Sequence, residues 1–445
     1  MLPTSSYEAE SGGAVTGDAP TGRVAPMRRT PGRLGRLLVA GIVLAAVSVP
    51  GDQPATAARA PFVSGWMPDW EGSQARVGFG AAPGLFTDGS PFSFAATGIA
   101  TFSLNGSEGT LANNVAAIRA AGPGVKVLPT ITDGITSSAT KGAMAAILAD
   151  PAARAQHEQA ILSLVVSRGF DGIDLDYEDF AFTDGKASWP ATKPNWAAFV
   201  RELGDLLHQN GKLLSITVPP IWSNGTAGYT VYGWQDPTLG MMPYIDRLRL
   251  MVYDWSVGQP GPVGPISWMR DVITTTRNAI GADQMYKVQI GVNTYGRSWA
   301  TVIAGTCPAN ADVTTRSVQM SALGAIVAAH GFTRDATFDE LKVTWTETFA
   351  GTANGTALIP APVYVPPVNR ANTVSAADAT PLKPAIRLNP TGQQVSCTVL
   401  RTVWAPDVNS VLNRAALALS NGAGGIVIWA MGYEDPALWS ALAAL

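Results

Sequence analysis

The segment Phe170-Asp171-Gly172-Ile173-Asp174-Leu175-Asp176-Tyr177-Glu178 carries the residue types and spacing most suited to chemistry. On a strand, alternate side chains share a face. Asp174, Asp176 and Glu178 therefore line one side, and Ile173, Leu175 and Tyr177 take the other. Like charges about 7 Å apart on a partly buried face repel, so at least one of these carboxyls must stay protonated. A carboxyl with a raised pKa is what a general acid needs near neutral pH. An exposed edge strand would not carry the apolar partner face, and a calcium loop needs a turn-rich spacing.

Eight candidate strands can position these acids: Phe62–Trp66, Gly98–Leu104, Val125–Thr132, Gly169–Tyr177, Leu213–Val218, Arg247–Tyr253, Lys287–Asn293 and Gly425–Ala430. Several are rich in β-branched residues and poor in charge, as strands covered on both faces are. Helical patterns alternate with them. In Asn195–Gln209, residues Trp196, Phe199, Val200, Leu203, Leu206 and Leu207 form one apolar face. Met144–Val166, Trp268–Ile280 and Pro406–Ser420 read the same way. This alternation predicts an α/β fold, a closed (β/α)₈ TIM barrel, with the acids rising towards the C-terminal rim where such barrels do their chemistry. A doubly wound open sheet is the alternative, but no glycine-rich phosphate turn follows the first strand.

About 110 residues separate Tyr295 from Ala405, too many for a bare loop. A helical stretch near Val318–His330, a strand-like run at Lys342–Phe349 and the Pro-rich piece Pro360–Pro367 read as a small α+β insertion, about 300–400, between strands 7 and 8.

The 445-residue chain is 47% apolar and 14% charged, with a formal net charge of −3. It can bury a large core, and it lacks the basic stripe of a nucleic-acid binder. Three scattered histidines and two distant cysteines form no metal-ligand cluster, so no metal or cofactor is expected. Residues 1–57 read as a small, polar leader and a signal peptide. Arg28, Arg29, Arg33 and Arg36 precede the apolar run Leu37–Val49, and Ala55-Thr56-Ala57 is a cleavage candidate. Secretion follows, with cell-wall association possible and no membrane partner once the signal is cleaved. Residues 58–445 form the catalytic barrel, expected to be a monomer. In an oxidising compartment Cys307 and Cys397 could pair.

Asp171-x-x-Asp174-x-Asp176-x-Glu178 resembles the signature of glycoside hydrolase family 18, the chitinase family. Met251-Val252-Tyr253-Asp254 is similar to that family's Met-x-Tyr-Asp motif on the sixth strand. Gly291-Val292-Asn293-Thr294-Tyr295-Gly296 resembles its seventh-strand run, with Asn293 in place of the usual proline. Gly425–Trp429 resembles its eighth strand. Residues 429–436, with Arg401–Trp404 and Ser410, are similar to the bacterial branch of spore-cortex and cell-wall N-acetylglucosaminidases.

The resemblance implies a retaining, substrate-assisted glycosidase. Glu178 is then the acid/base, Asp176 orients the substrate acetamide, and Asp174 shares a proton with Asp176. Tyr253 donates to the acetamide carbonyl. Asp254, Met251 and Trp429 bind the distorted sugar, and Tyr295 walls the cleft. Trp66, Trp70, Trp222, Trp255 and Trp299 lie near strand ends, where glycan stacking competes with packing, and Asp171 reads as structural. The implied partner is a polysaccharide containing β-1,4-linked N-acetylglucosamine, as in chitin or peptidoglycan. A non-catalytic chitin- or glycan-binding wall protein is the competing reading; inactive relatives usually lack the terminal glutamate, which is present here as Glu178.

Overall fold

The computed structural model describes residues 61–353 and 393–445, and the backbone of 357–358 and 373–374. The leader and signal peptide expected over 1–57, and the Pro360–Pro367 piece, lie outside the described residues.

Eight parallel strands close on themselves: β1 (Val63–Pro68), β2 (Phe86–Gly98), β3 (Thr130–Asp133), β4 (Gly172–Asp176), β5 (Leu213–Val218), β6 (Arg247–Leu250), β7 (Val288–Asn293) and β8 (Gly425–Trp429). Closure runs through β1, which pairs in parallel with β8 (Val63 opposite Ile426) and with β2 (Trp66 opposite Ser90). Helices cover the outside. Trp189–Gln209, which starts six residues before its expected Asn195, buries Trp196, Phe199, Val200, Leu203 and Leu207. The run expected as one helix over Met144–Val166 is two, Ala143–Ala149 and Pro151–Ser167. Asp150 separates them. Its carboxylate accepts from the Ala152 and Ala153 amides at 2.8 and 3.3 Å, and Pro151 has no amide to leave unpaired at the first helical position.

One strand departs from expectation. The second stave is Phe86–Gly98, and Thr101–Leu104 turns back antiparallel on its end, with Phe94 opposite Leu104. Phe86–Gly98 contains Gly89, Ser90, Pro91 and Ser93, so by propensity it reads as a loop. The barrel interior needs such small residues: Asp88 and Ser90 are fully buried. Pro91 is tolerated in a strand whose pairing with β3 shifts register between Phe92 and Phe94.

The α+β insertion between β7 and β8 is built on long antiparallel strands. Tyr295–Gly305 pairs with Gln394–Ala405, which pairs in turn with Glu340–Thr352. Helix Met320–His330 packs Leu323 and Ile326 against Val318, Leu341, Val343 and Val403. Cys307 and Cys397 are disulfide-bonded across a sequence separation of 90. In the chain-entropy account, closing a loop of that size stabilises the fold by about 4–5 kcal/mol.

Candidate active site

Strand β4 sends Asp174 and Asp176 into the barrel, and both are buried. Ile173, Leu175 and Tyr177 face the helices and are fully buried there. The ladder stops at Asp176. Glu178 lies two residues beyond it, with helical backbone angles (φ −100°, ψ −34°), at the head of the short helix Asp179–Phe182. Strict strand alternation therefore does not extend to Glu178, although its side chain reaches the same cavity as Asp176.

The deep end of the barrel is saturated. Asp174 accepts hydrogen bonds from Trp66 Nε1 (2.9 Å), Thr130 Oγ1 (3.0 Å), Ser215 Oγ (2.5 Å) and Thr217 Oγ1 (3.0 Å). Arg249 Nη1 pairs with it at 3.0 Å, both side chains being fully buried. The same guanidinium pairs with Asp88 and donates to Ser90 Oγ at 2.7 Å and Gln289 Oε1 at 2.9 Å. Burial pushes the Asp88 carboxyl up. Arg249, Arg247 and hydrogen bonds from Ser64 and Thr87 outweigh it and hold the group below the usual range. Both Asp174 oxygens are engaged by donors other than Asp176. Sequence reasoning missed Arg249 and Asp88. The available signal was Arg247-Leu248-Arg249-Leu250, charge at strand period in a run otherwise read as core.

Above this floor opens a cavity of about 550 Å³. Asp176, Glu178, Met251, Tyr253, Asp254 and Trp429 all line it. Six carboxyl residues line it in all, because Asp69, Asp133 and Asp179 join the three expected acids. Burial, then Asp179 and Asp254, raise Glu178 to about 8. Burial also raises Asp176 well above its ordinary value, reinforced by Glu178, Asp174 and Asp179. Asp176 Oδ1 is buried with no hydrogen-bond partner. Asp179 rises to about 6 through burial and the charge of Asp133. The tyrosyl hydroxyl of Tyr253 stays protonated, since burial pushes its pKa far up, with Tyr295 and the site carboxyls adding to it. The site thus holds two carboxyls with raised proton affinity and a phenolic donor around one space.

The wall is aromatic. Trp429 packs edge-on against Trp66, Trp70 and Phe92 at centroid distances of 6.0, 6.3 and 5.0 Å. Trp66 and Trp70 line the cavity. The other strand-end tryptophans do not. Trp222 and Trp255 cluster with Trp268, and Trp299 is buried with its indole N–H on the Val257 carbonyl at 2.8 Å. Tyr295 likewise does not wall the cleft. It stands behind Asp254 and donates to Asp254 Oδ1 at 2.6 Å, while Arg297 pairs with the same oxygen at 2.8 Å. These contacts hold Asp254 at φ 59°, a left-handed conformation few side chains adopt. Asp171 lies at the far end of the strand, where it ties the Val127 amide (2.8 Å) and Arg119 (2.7 Å). Asp133 and Asp179 also escaped sequence reasoning; Asp133 stands one residue past the expected third strand, on the same rim.

Comparison with known proteins supplies the family. Residues 91–434 match the family model described as Glycosyl hydrolases family 18. YdhD of Bacillus subtilis, named for a sporulation-specific glycosylase role, is 29% identical over 177 residues; the match covers 39% of each chain. The chain thus spans about two fifths of that relative's length. The spore cortex-lytic enzyme SleL of Bacillus cereus superposes with a TM-score of 0.60 at 18% identity, over 87% of this chain and 75% of that one. A chitinase from Chromobacterium violaceum gives 0.59 at 19%, over 86% and 98%. At these identities the structural likeness speaks for the barrel fold, and the family model covers most of the chain: the protein belongs to the glycosyl hydrolases of family 18.

Proposed function

We propose that the protein is a secreted, retaining glycosidase that cleaves polymers of β-1,4-linked N-acetylglucosamine, with Glu178 as its acid and base. One observation carries the reading. Glu178, raised to about 8, shares a cavity with a raised Asp176, a protonated Tyr253 and the ring of Trp429. The apolar face of a pyranose fits the Trp429 ring. Glu178 holds its proton at neutral pH and gives it to the glycosidic oxygen as the bond to the anomeric carbon breaks. No second protein carboxylate is required as nucleophile, because the substrate's own acetamide oxygen attacks that carbon from the opposite face. The positive charge formed on the resulting oxazolinium ring faces Asp176, and Tyr253 donates to the acetamide oxygen. Glu178, now a carboxylate, takes a proton from water. That water's oxygen opens the ring with net retention.

The substrate is chitin, its oligomers or peptidoglycan, and mass spectrometry of products from chitin oligomers and from purified peptidoglycan decides among them. A thiazoline mimic of the oxazolinium ion is expected to inhibit competitively. Binding of oligomers without any product would replace the hydrolase with a glycan-binding protein. Turnover untouched by the thiazoline would remove the substrate-assisted route.

A further inference from the structure

We infer that Tyr232, Tyr177 and His157 are positioning residues that hold the turn carrying Glu178, a role resting on the glycosidase reading above. The β ladder fixes backbone only as far as Asp176, whose last parallel partner on β3 is Thr132. The peptide joining Tyr177 to Glu178 therefore lies outside the sheet, and a carboxyl on an unsupported turn would sample several placements. Three side-chain bonds replace the ladder. The buried Tyr232 hydroxyl, from the turn Thr230–Tyr232 after β5, donates to the Tyr177 carbonyl at 2.9 Å. On the other side of the strand, the Tyr177 hydroxyl lies 2.8 Å from His157 Nε2. His157 Nδ1 lies 2.6 Å from the Ile99 carbonyl, in the segment just after β2.

The protons along this relay are determined. A carbonyl only accepts, so Nδ1 carries the hydrogen, Nε2 accepts, and the Tyr177 hydroxyl donates. His157 is fully buried, and burial lowers its pKa, which keeps the ring neutral and the relay in this sense. The Tyr177 ring stacks on Phe199, with centroids 6.2 Å apart and planes 11° from parallel. One residue is thus pinned at its carbonyl by the β5 loop and at its side chain by the outer helices. The next residue carries the catalytic carboxyl, whose own carbonyl is taken by the Ala181 and Phe182 amides at 2.9 and 3.1 Å. None of the three side chains lines the cavity, so they act on the reaction only through Glu178.

Tyr232→Phe and Tyr177→Phe each delete one hydroxyl and keep the ring. Steady-state kinetics on a chromogenic chito-oligosaccharide, with thermal melts of the same samples, test the inference. Each variant is expected to lose about tenfold or more in kcat, with KM within about twofold, because misplacement by a fraction of an ångström is costly to the chemical step. Affinity for the thiazoline mimic should stay near that of the unaltered protein, since its cavity contacts remain. Folded variants with kcat within twofold of the unaltered protein overturn the inference and leave the glycosidase reading standing. A rise in KM that accounts for the whole loss also overturns it. No turnover by the unaltered protein overturns both.

Discussion

Asp174 and Glu178 leave the same strand-to-helix segment four residues apart, yet they meet opposite surroundings. Around Asp174, four hydrogen-bonding side chains and Arg249 fill a sealed barrel floor. Around the Glu178 carboxyl, no donor among the described residues is within hydrogen-bond distance, and like-charged neighbours face it across an open cavity. The floor satisfies every carboxylate it buries; at the rim Asp133 and Asp254 keep donors, but Glu178 and Asp176 Oδ1 have none among the described residues. Buried anions with full partners contribute to folding, and half-satisfied ones store the proton affinity that catalysis needs. The difference lies in what other strands bring, not in the acids themselves.

Substitutions at the two levels should separate along this line. Asp176→Asn at the rim is expected to lower kcat by about a hundredfold to a thousandfold while the melting temperature holds or rises, because a like charge leaves the cluster. Arg249→Met at the floor is expected to do the reverse. It strips the cation from two buried carboxylates at a cost of about 3–5 kcal/mol, seen as a large drop in melting temperature. A floor variant that melts normally, or a rim variant that keeps its turnover, would erase the distinction.

The pH dependence of stability sharpens the comparison further. Asp88 is held below its ordinary value, so its contribution is present above about pH 4 and is lost as pH falls through the lowered value. Glu178 is raised, so its contribution is complete below its unfolded value of 4.5 and is lost as pH rises through about 8. Melts from pH 5 to 8.5 should fall less steeply for Glu178→Gln than for the unaltered protein. Equal slopes would mean that Glu178 is not raised. Smallest in effect is Tyr295→Phe, which removes one brace from Asp254; about 1 kcal/mol, or roughly fivefold in kcat/KM, is expected from kinetics on an oligosaccharide. A loss as large as that at Asp176 would place Tyr295 in contact with the sugar instead.

What could be read from sequence was local. Alternation in Ile173–Asp176 assigned faces correctly, because period two follows from strand geometry alone. It failed at Glu178, where the chain leaves the sheet. The second stave was hidden because Asp88 and Ser90 point inward to Arg249 while Gly89 packs closely against Ile118 and Phe79 of the covering helices, and with Pro91 this run reads as loop. Arg249 with Asp88, and Arg297 with Asp254, are pairings across 161 and 43 positions of chain, the first reaching across the barrel interior and the second between the ends of the neighbouring strands β6 and β7, so only the tertiary fold brings them together. The roles of Tyr295 and of the tryptophans at 222, 255 and 299 depend on which way each rim loop turns, and residue type does not encode that.

The claim that Glu178 supplies the proton is tested most directly by kcat of Glu178→Gln on a chromogenic chito-oligosaccharide, measured beside its melting curve. The account predicts a loss of about three orders of magnitude in a protein that melts at or above the temperature of the unaltered chain. Turnover within tenfold of the unaltered protein would contradict it.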